Sequence, residues 1–288
     1  MVNSMPMRTV PVLLALALLA LTGGGCTKAA RTQRAIATAD RLFQAGEYSK
    51  AEVAYSNALH MVYPPNPAAI RGLGFVYYEQ GRSLDALYVL NQAAKRDPNN
   101  ARCQSELASL MALNAFYQQA RDAAHIALKL QPGDEKALTA LCVAARTPQD
   151  VEQVRHYIEQ LQSHDQDRAS YHVALATIDV METNMNPAEA ELNKARKLDP
   201  NSSLAYLGMA GLATYYKNIK LADENLKLAM KNAPLRSPIR VNYAEFLAQN
   251  GQTNEAKNLM RDLVQQAPDY LPSYLFLMRR AFAEGKLD

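Results

Sequence analysis

Histidine and cysteine, the side chains most often used for metal binding and nucleophilic catalysis, are few in this chain and widely scattered. The 288 residues include five histidines and three cysteines. His156, His164 and His172 recur every eight residues, which is about two turns of a helix. A helix boundary is expected near residues 165–168, so we interpret the three rings as surface or packing histidines rather than metal ligands. The sequence contains no phosphate-binding loop, metalloprotease motif or nucleophile elbow.

One of the cysteines, Cys26, ends a segment with the features of a secretory signal. Residues 10–21 are twelve consecutive apolar residues, with Arg8 before them and the small residues 22–25 after them. Twelve helical residues rise about 18 Å, which is too short for a hydrocarbon core of about 30 Å. A positive start, a short apolar stretch and small residues before a cleavage point are the parts of a signal peptide. The alternative is a buried core helix, but nothing amphipathic flanks the stretch.

The small residues that precede Cys26 resemble the bacterial lipobox, in which the cysteine is lipidated and becomes the mature N-terminus. Gly23 stands where that motif usually has Leu. The resemblance implies a signal peptide over residues 1–25 and lipidation of Cys26. Because Thr27 rather than Asp follows the cysteine, it also implies an anchor in the outer membrane facing the periplasm. Ordinary secretion without a lipid is the alternative.

Composition excludes several other classes of protein. Apolar residues make up 49% of the chain, too many for a disordered segment. The 31 basic and 28 acidic side chains leave a net charge of only +3, which gives no electrostatic reason to expect nucleic acid binding. With 12 glycines and 14 prolines, tight turns are too rare for an all-β sandwich, so the composition favours helices.

A period of 34 residues organises the rest of the chain. Residues of one type recur at positions 34 residues apart, and we call each such set of positions a column. One column holds proline, one alanine and one large apolar residues. The proline column is Pro98, Pro132, Pro200, Pro234 and Pro268, with Gln166 in its gap. The alanine column is Ala86, Ala120, Ala188, Ala222 and Ala256, with Val154 in its gap. The large apolar column is Leu73, Leu107, Leu141, Leu175, Met209, Tyr243 and Leu277.

Each column has a role in a unit made of a helix, a short turn and a second helix. Proline stops a helix because it lacks an N–H group and moves the preceding residue out of the α region. Small residues let two helices approach closely, and large residues fill the gaps between them. Gly81 and Gly251 stand where the first helix of a pair must end in a left-handed residue. Residues 67–100 resemble the tetratricopeptide repeat most fully, through Ile70, Leu73, Gly74, Tyr77, Gly81, Ala86, Leu90, Ala93 and Pro98.

The resemblance covers about residues 32–288 and implies an all-α fold, a right-handed α-solenoid of antiparallel helix pairs. Residues 26–31 are expected to form a short tether after the lipidated cysteine. One residue, Asn66, is inserted after the first unit. The seven full units, numbered 1 to 7 below, are 32–65, 67–100, 101–134, 135–168, 169–202, 203–236 and 237–270, and a half unit follows at 271–288.

Two units depart from the pattern. Unit 4 lacks the small residues and the proline of its columns, and Thr147 to Asp150 indicate an early helix start. We therefore expect a helical pair with a locally wider packing distance. The helix of the half unit is apolar around most of its circumference, although a solenoid needs a polar outer face on its last element. We expect either that it packs on something outside this chain or that the sequence is a piece of a longer repeat protein.

In the repeat family, the first helix of each pair lines a concave groove that binds a protein or peptide. The resemblance places there Arg71, Phe75, Tyr78, Glu79, Arg102, Ser105, Lys136, Thr139, Val173, Thr177, Leu207, Thr214, Tyr215 and Glu245. The groove is expected to be mildly basic near Arg71, Arg102 and Lys136, and apolar from Val173 to Tyr215. The alternative is that its aromatic residues merely pack between neighbouring first helices. The two-carboxylate clamp of chaperone-binding relatives is absent, because Phe75 stands where that clamp needs Asn.

The remaining reactive side chains favour a protein without catalytic activity or cofactor. Cys142 falls in a column of small packing residues and is expected to be a buried free thiol. The offset between Cys103 and Cys142 along adjacent helices argues against a disulfide. Glu79 and Glu245 are expected on the inner face but lie five units apart, too far to act as a catalytic pair.

The sequence therefore predicts a non-enzymatic protein-interaction scaffold in the bacterial envelope. Its contact with the membrane would be through the N-terminal lipid only, and it would bind no nucleic acid and no metal. Repeat lipoproteins of this kind serve pilus assembly and the secretion of exopolysaccharide or protein. Two alternatives remain open at this point: the repeat portion of a larger envelope enzyme, and a soluble periplasmic adaptor.

Overall fold

A computed structural model describes residues 28–285, and within that range the chain forms fifteen helices and no strand. The predicted all-α solenoid is confirmed. The expected signal peptide and Cys26 lie outside the described residues. In chain order the helices are α1 (Lys28–Gln44), α2 (Tyr48–Leu59), α3 (Pro67–Glu79), α4 (Ser83–Arg96), α5 (Ala101–Leu113), α6 (Tyr117–Leu130), α7 (Glu135–Val143), α8 (Pro148–His164), α9 (Ala169–Met181), α10 (Met185–Leu198), α11 (Ser203–Tyr215), α12 (Ile219–Asn232), α13 (Pro238–Gln249), α14 (Thr253–Gln266) and α15 (Leu271–Ala283).

The first helix begins earlier than expected. α1 starts at Lys28, so residues 28–31, expected to be part of a tether, are helical instead. The Thr32 hydroxyl donates to the carbonyl of Lys28 at 2.8 Å, which ties the first turn together. Alanine, arginine and lysine fill that turn, and all three have high helix propensity.

Side chains at the unit boundaries start several of the first helices. Asn100 accepts a hydrogen bond from the amide of Cys103 at 2.9 Å, and Asp134 accepts one from Ala137 at 2.8 Å. Such caps satisfy amides that have no partner inside the helix. Asn66, Ser202 and Ser237 act in the same way.

A left-handed residue separates the two helices of most pairs. Gly81 and Gly251 have φ angles of +71° and +84°, as the sequence predicts. In units 3, 5 and 6 the same repeat position is left-handed although it is not glycine, at Ala115, Thr183 and Lys217. These three adopt a conformation that costs an L-residue about 1 kcal/mol or more, which the packing of the flanking helices must offset.

The alanine column lies where the two helices of a pair touch. Ala86, Ala120, Ala188, Ala222 and Ala256 all have no exposed surface. At these points any larger side chain would have to displace the partner helix. Val154, which takes the place of alanine in unit 4, is also buried.

Unit 4 is irregular in the way that its sequence predicts. α7 has only 9 residues, whereas α8 has 17 and begins at Pro148. Thr147 and Asp150 form a reciprocal capping box at that start. α7 and α8 touch at few points, and α8 packs more on α9 of the next unit.

The solenoid turns far enough for its two ends to touch. The amide of Leu271, at the start of α15, donates to the carbonyl of Gln80 at 2.9 Å. The hydroxyl of Ser49 donates to Asp269 Oδ2 at 3.2 Å across 220 residues of sequence. The N-terminal units therefore touch the C-terminal ones through a small number of contacts.

The last helix, α15, buries one face and exposes the other. Phe276 has no exposed surface, whereas Met278 and Phe282 are 61% and 72% exposed. Among the helices of residues 28–285, none combines the length and the apolar character that a bilayer span requires.

Candidate binding surface in the groove

The first helices of units 2 to 4 bring charged side chains together on the inner surface. Arg71 Nη1 lies 2.6 Å from Asp97 Oδ2, and Arg102 Nη2 lies 3.0 Å from Glu79 Oε1. The Arg102 guanidinium also stacks on the ring of Phe75, with 4.3 Å between its Cζ and the ring centroid. Such stacking on an aromatic face adds to the attraction of the ion pair.

Glu106 is the centre of this charged network. Its side chain is 1% exposed, and its Oε1 atom accepts from Lys136 Nζ at 2.9 Å and from Arg102 Nε at 3.3 Å. Its other carboxylate oxygen, Oε2, has no hydrogen-bond partner among the described residues. Sequence analysis missed Glu106, although its position four residues after Arg102 on one helix is a signal for an ion pair.

The mildly basic groove expected near Arg71, Arg102 and Lys136 is therefore neutralised. Each of these three cations is paired with a carboxylate, and two of those carboxylates lie on a neighbouring helix. Spacing along the chain could not reveal this, because the partners are 23 to 30 residues apart. Burial raises the pKa of the Glu79 carboxyl, and the nearby negative charge of Glu106 raises it further.

Two expected groove residues in this region contact other side chains of the protein itself. Ser105 is buried, and its hydroxyl donates to Asp134 Oδ1 at 2.5 Å, which supports the cap of α7. Tyr78 is half-buried, with Lys136 Nζ 4.7 Å from its ring centroid. Burial raises the pKa of the Tyr78 phenol far above its ordinary value, so it remains protonated at neutral pH.

Beyond this network the inner surface opens into an apolar cleft of about 510 Å³. We call it the apolar cleft; α7, α9, α10 and α11 form its walls. Val180 and Tyr215 are 41% and 59% exposed at its mouth. The lining residues are Thr139, Val173, Ala176, Thr177, Val180, Met185, Leu192, Leu204, Leu207, Gly208, Gly211, Leu212 and Tyr215.

Two glycines of α11 have opposite roles in the cleft. A Cβ atom at Gly208 would lie 2.7 Å from Leu192 Cδ2, so this glycine is needed for close helix packing. A Cβ atom at Gly211 would meet nothing within 4 Å. Gly211 therefore leaves open space in the cleft, at the repeat position that holds Phe75 in unit 2.

The other expected groove residues lie outside the cleft or serve their own helix. Glu245 is paired with Arg279 at 2.9 Å and with Arg280 on α15. The hydroxyl of Thr214 is exposed and donates to the carbonyl of Ala210 at 2.9 Å.

The histidines and cysteines that could do chemistry do not come together. His172 Nδ1 lies 2.5 Å from Glu191, whereas His164 bonds to the backbone of its own helix. Cys103 and Cys142 are free and buried, and burial raises the pKa of their thiols to about 11 and about 12. No group of three or more metal-ligating side chains occurs within residues 28–285.

Comparison with known proteins agrees with this architecture. Residues 42–113 match the tetratricopeptide repeat family. A tetratricopeptide repeat protein from Parabacteroides merdae is similar in fold, with a TM-score of 0.55 and 16% identity over 85% of this chain and 97% of that one. The Cut9–Hcn1 hetero-tetramer of the APC/C contains a chain with a TM-score of 0.51 and 15% identity, matched over 84% of this chain and 48% of that one. No curated protein matches the sequence.

The repeat period and the helix pairs define the class of fold: residues 28–285 form an α-solenoid of helical repeats, and residues 42–113 of it match the tetratricopeptide repeat family. Repeats of this family generally form scaffolds that bind other proteins.

Proposed function

We propose that this protein binds a segment of a partner protein in its groove, with apolar side chains of that segment seated in the apolar cleft. The cleft is the observation that carries the proposal. It is concave and almost entirely apolar, and side chains such as Val180 and Tyr215 remain partly exposed in it. Exposed apolar surface of this kind marks interaction sites, since burial stabilises by about 25 cal/mol per Å².

The residues of the cleft suit an anchor-in-pocket mode of binding. Tyr215 offers a rigid aromatic ring at the mouth, and residues of this type contribute strongly to binding when they become buried. Leu204 and Leu207 lie one helical turn apart and form part of the wall. The neutral network around Glu106 borders the groove on its N-terminal side and would select against a strongly charged segment at that point.

Filling the cleft should abolish binding without harming the fold. Gly211→Leu places a side chain in the open space at this position, so it should remove the partner from co-purification. Helix stability should rise by up to about 1 kcal/mol, because glycine is a poor helix former. The measurement is affinity capture from a membrane extract with mass spectrometry, beside thermal melting of the purified variant.

The matched control is Ser109→Leu, which changes the same repeat position in unit 3, outside the cleft. Loss of the same partners in both variants, or in neither, would count against binding through the apolar cleft.

We also propose that the protein is a lipoprotein of the bacterial envelope, anchored through Cys26 to the outer membrane and facing the periplasm. The supporting observation is the sequence of a short apolar stretch, small residues and a cysteine. A single acyl chain gives only marginal membrane binding, whereas the several chains of a lipoprotein make the anchor stable. The machines that we propose it serves are those of pilus assembly and of exopolysaccharide or protein secretion.

The anchor has a direct test. Cys26→Ser should move the protein from the membrane pellet to the soluble fraction after cell disruption, because no lipid can then be attached. Cys103→Ser, which changes a buried thiol in the solenoid, should leave the protein in the pellet. If the Cys26→Ser protein still sediments with membranes, the lipid anchor is wrong.

A further inference from the structure

The contact between the two ends of the solenoid, which we call the clasp, joins two sets of residues at helix ends and in the adjoining turns. One set is Tyr48 and Ser49 with the backbone of residues 79–81, and the other is Arg236 with residues 269–272. Besides the two hydrogen bonds described above, Arg236 Nη1 donates to the carbonyl of Glu79 at 3.3 Å, across 157 residues of sequence. No repeat period predicts contacts over such separations.

Arg236 is the central side chain of the clasp. It forms an ion pair with Asp269, and its Cζ atom lies 4.5 Å from the ring centroid of Tyr48. The side chains of Arg236 and Asp269 are only 12% and 18% exposed. Tyr270 is buried beside them, and burial raises the pKa of its phenol to about 12.

The two ends also approach closely at Gly81. A Cβ atom built on Gly81 would lie 2.3 Å from Pro272 Cδ and 3.2 Å from the ring of Tyr270. Only glycine leaves room for this contact. Gly251, at the same repeat position of unit 7 and with a similar φ angle, has nothing within 4 Å of such an atom.

The clasp has no apolar core of its own. Each buried apolar cluster of residues 28–285 lies within neighbouring units, and none joins units 1 or 2 to unit 7 or α15. In a solenoid each unit is stabilised by its neighbours alone, so the closure can break without unfolding any unit. What holds it is the contact of Arg236 with the Glu79 carbonyl and the Tyr48 ring, two further hydrogen bonds, and the packing of Pro272 and Tyr270 on Gly81. The Arg236–Asp269 ion pair lies within the C-terminal set and holds Arg236 in place. The contacts that cross the clasp are few and weak, and salt screens those that depend on the Arg236 charge.

We propose that the clasp is a reversible closure that controls access to the groove. With the clasp closed, Arg236 and Tyr270 lie against the inner-face region of Tyr78 and Glu79. When the clasp opens, the two ends of the solenoid separate and this part of the groove is free for a partner. The idea that opening admits a partner rests on the proposed function, but the opening itself can be measured without any partner.

Two glycine variants provide the test. Gly81→Ala and Gly251→Ala place the same side chain at a left-handed residue, so both should lose similar stability, but only Gly81→Ala pushes against Pro272. Gly81→Ala should therefore show a larger radius of gyration by small-angle scattering. The Leu271 amide, which donates across the clasp, should exchange with deuterium about tenfold faster or more in that variant. Gly251→Ala should match the wild type in both measurements.

Salt and a charge variant give a second, independent readout. The radius of gyration of the wild type should rise with ionic strength, and Arg236→Ala should be expanded at low salt already. Lys227→Ala is the control, because it removes an ion pair with Asp223 and Lys227 makes none of the clasp contacts. It should change neither the radius of gyration at low salt nor its rise with ionic strength.

Equal radii and equal Leu271 exchange in the two glycine variants would overturn the proposal. A wild-type radius of gyration that does not change with ionic strength would also overturn it. So would a wild-type radius of gyration at low salt that already equals that of the opened Arg236→Ala protein. Because no partner is used, these failures would leave the proposed binding in the apolar cleft untouched.

Discussion

Leu141→Ala should lower the free energy of unfolding by about 2–5 kcal/mol. Leu141 has no exposed surface and lies in α7, inside the largest buried cluster, which joins units 3, 4 and 5. Removing its three outer carbons leaves a cavity that close-packed neighbours cannot fill. α7 has only 9 residues, so few backbone hydrogen bonds hold it and its stability depends on this packing.

The position of Leu141 makes a second effect visible. The stability of a solenoid is approximately a sum over units and the interfaces between them, so a weakened middle unit uncouples the two halves. In urea unfolding followed by circular dichroism, the Leu141→Ala transition should come at a lower midpoint and should be broader than that of the wild type. Leu113→Ala, at a leucine that is 76% exposed, is the control and should shift the free energy by less than about 0.5 kcal/mol. Similar losses in both variants would show that burial at α7 does not govern stability.

Ala222→Leu should cost about 1–3 kcal/mol by overpacking. Ala222 belongs to the alanine column and is fully buried where α11 and α12 meet. A leucine there must either move α12 or adopt a strained rotamer, although leucine and alanine are both good helix formers. The cost would therefore report packing between the helices and not the propensity of one helix.

The matched variant for this test is Glu224→Leu, two residues further along α12 and exposed. Thermal melting of the two purified proteins should show a clear loss for Ala222→Leu and almost none for Glu224→Leu. An Ala222→Leu protein as stable as the wild type would mean that the alanine column does not set the distance between paired helices.

The positions of the helices and their contacts within each pair could be predicted well, because each unit repeats the same contacts with its neighbours. A small residue every 34 positions marks the place where two helices touch, and a capping side chain marks where the next one starts. Even the irregular unit 4 was predictable from Thr147 to Asp150, because a capping box is a local motif.

The candidate site was predictable only in outline. The apolar stretch from Val173 to Tyr215 lines the cleft, since side chains at fixed positions of the first helices share one face. The left-handed conformations of Ala115, Thr183 and Lys217 were not predictable, because nothing in those residue types requires them. The charge balance around Glu106 was missed because it depends on which side chains of different helices come within reach.

The amino-acid sequence by itself thus determined the repeat, the helix pairs and the face that lines the groove. Only the tertiary structure decided the depth of the cleft, the neutral network and the clasp that brings Arg236 to Glu79. The physical reason is that periodic patterns encode contacts between neighbours. The meeting of the two ends instead results from small rotations added over every unit, which no single stretch of sequence contains.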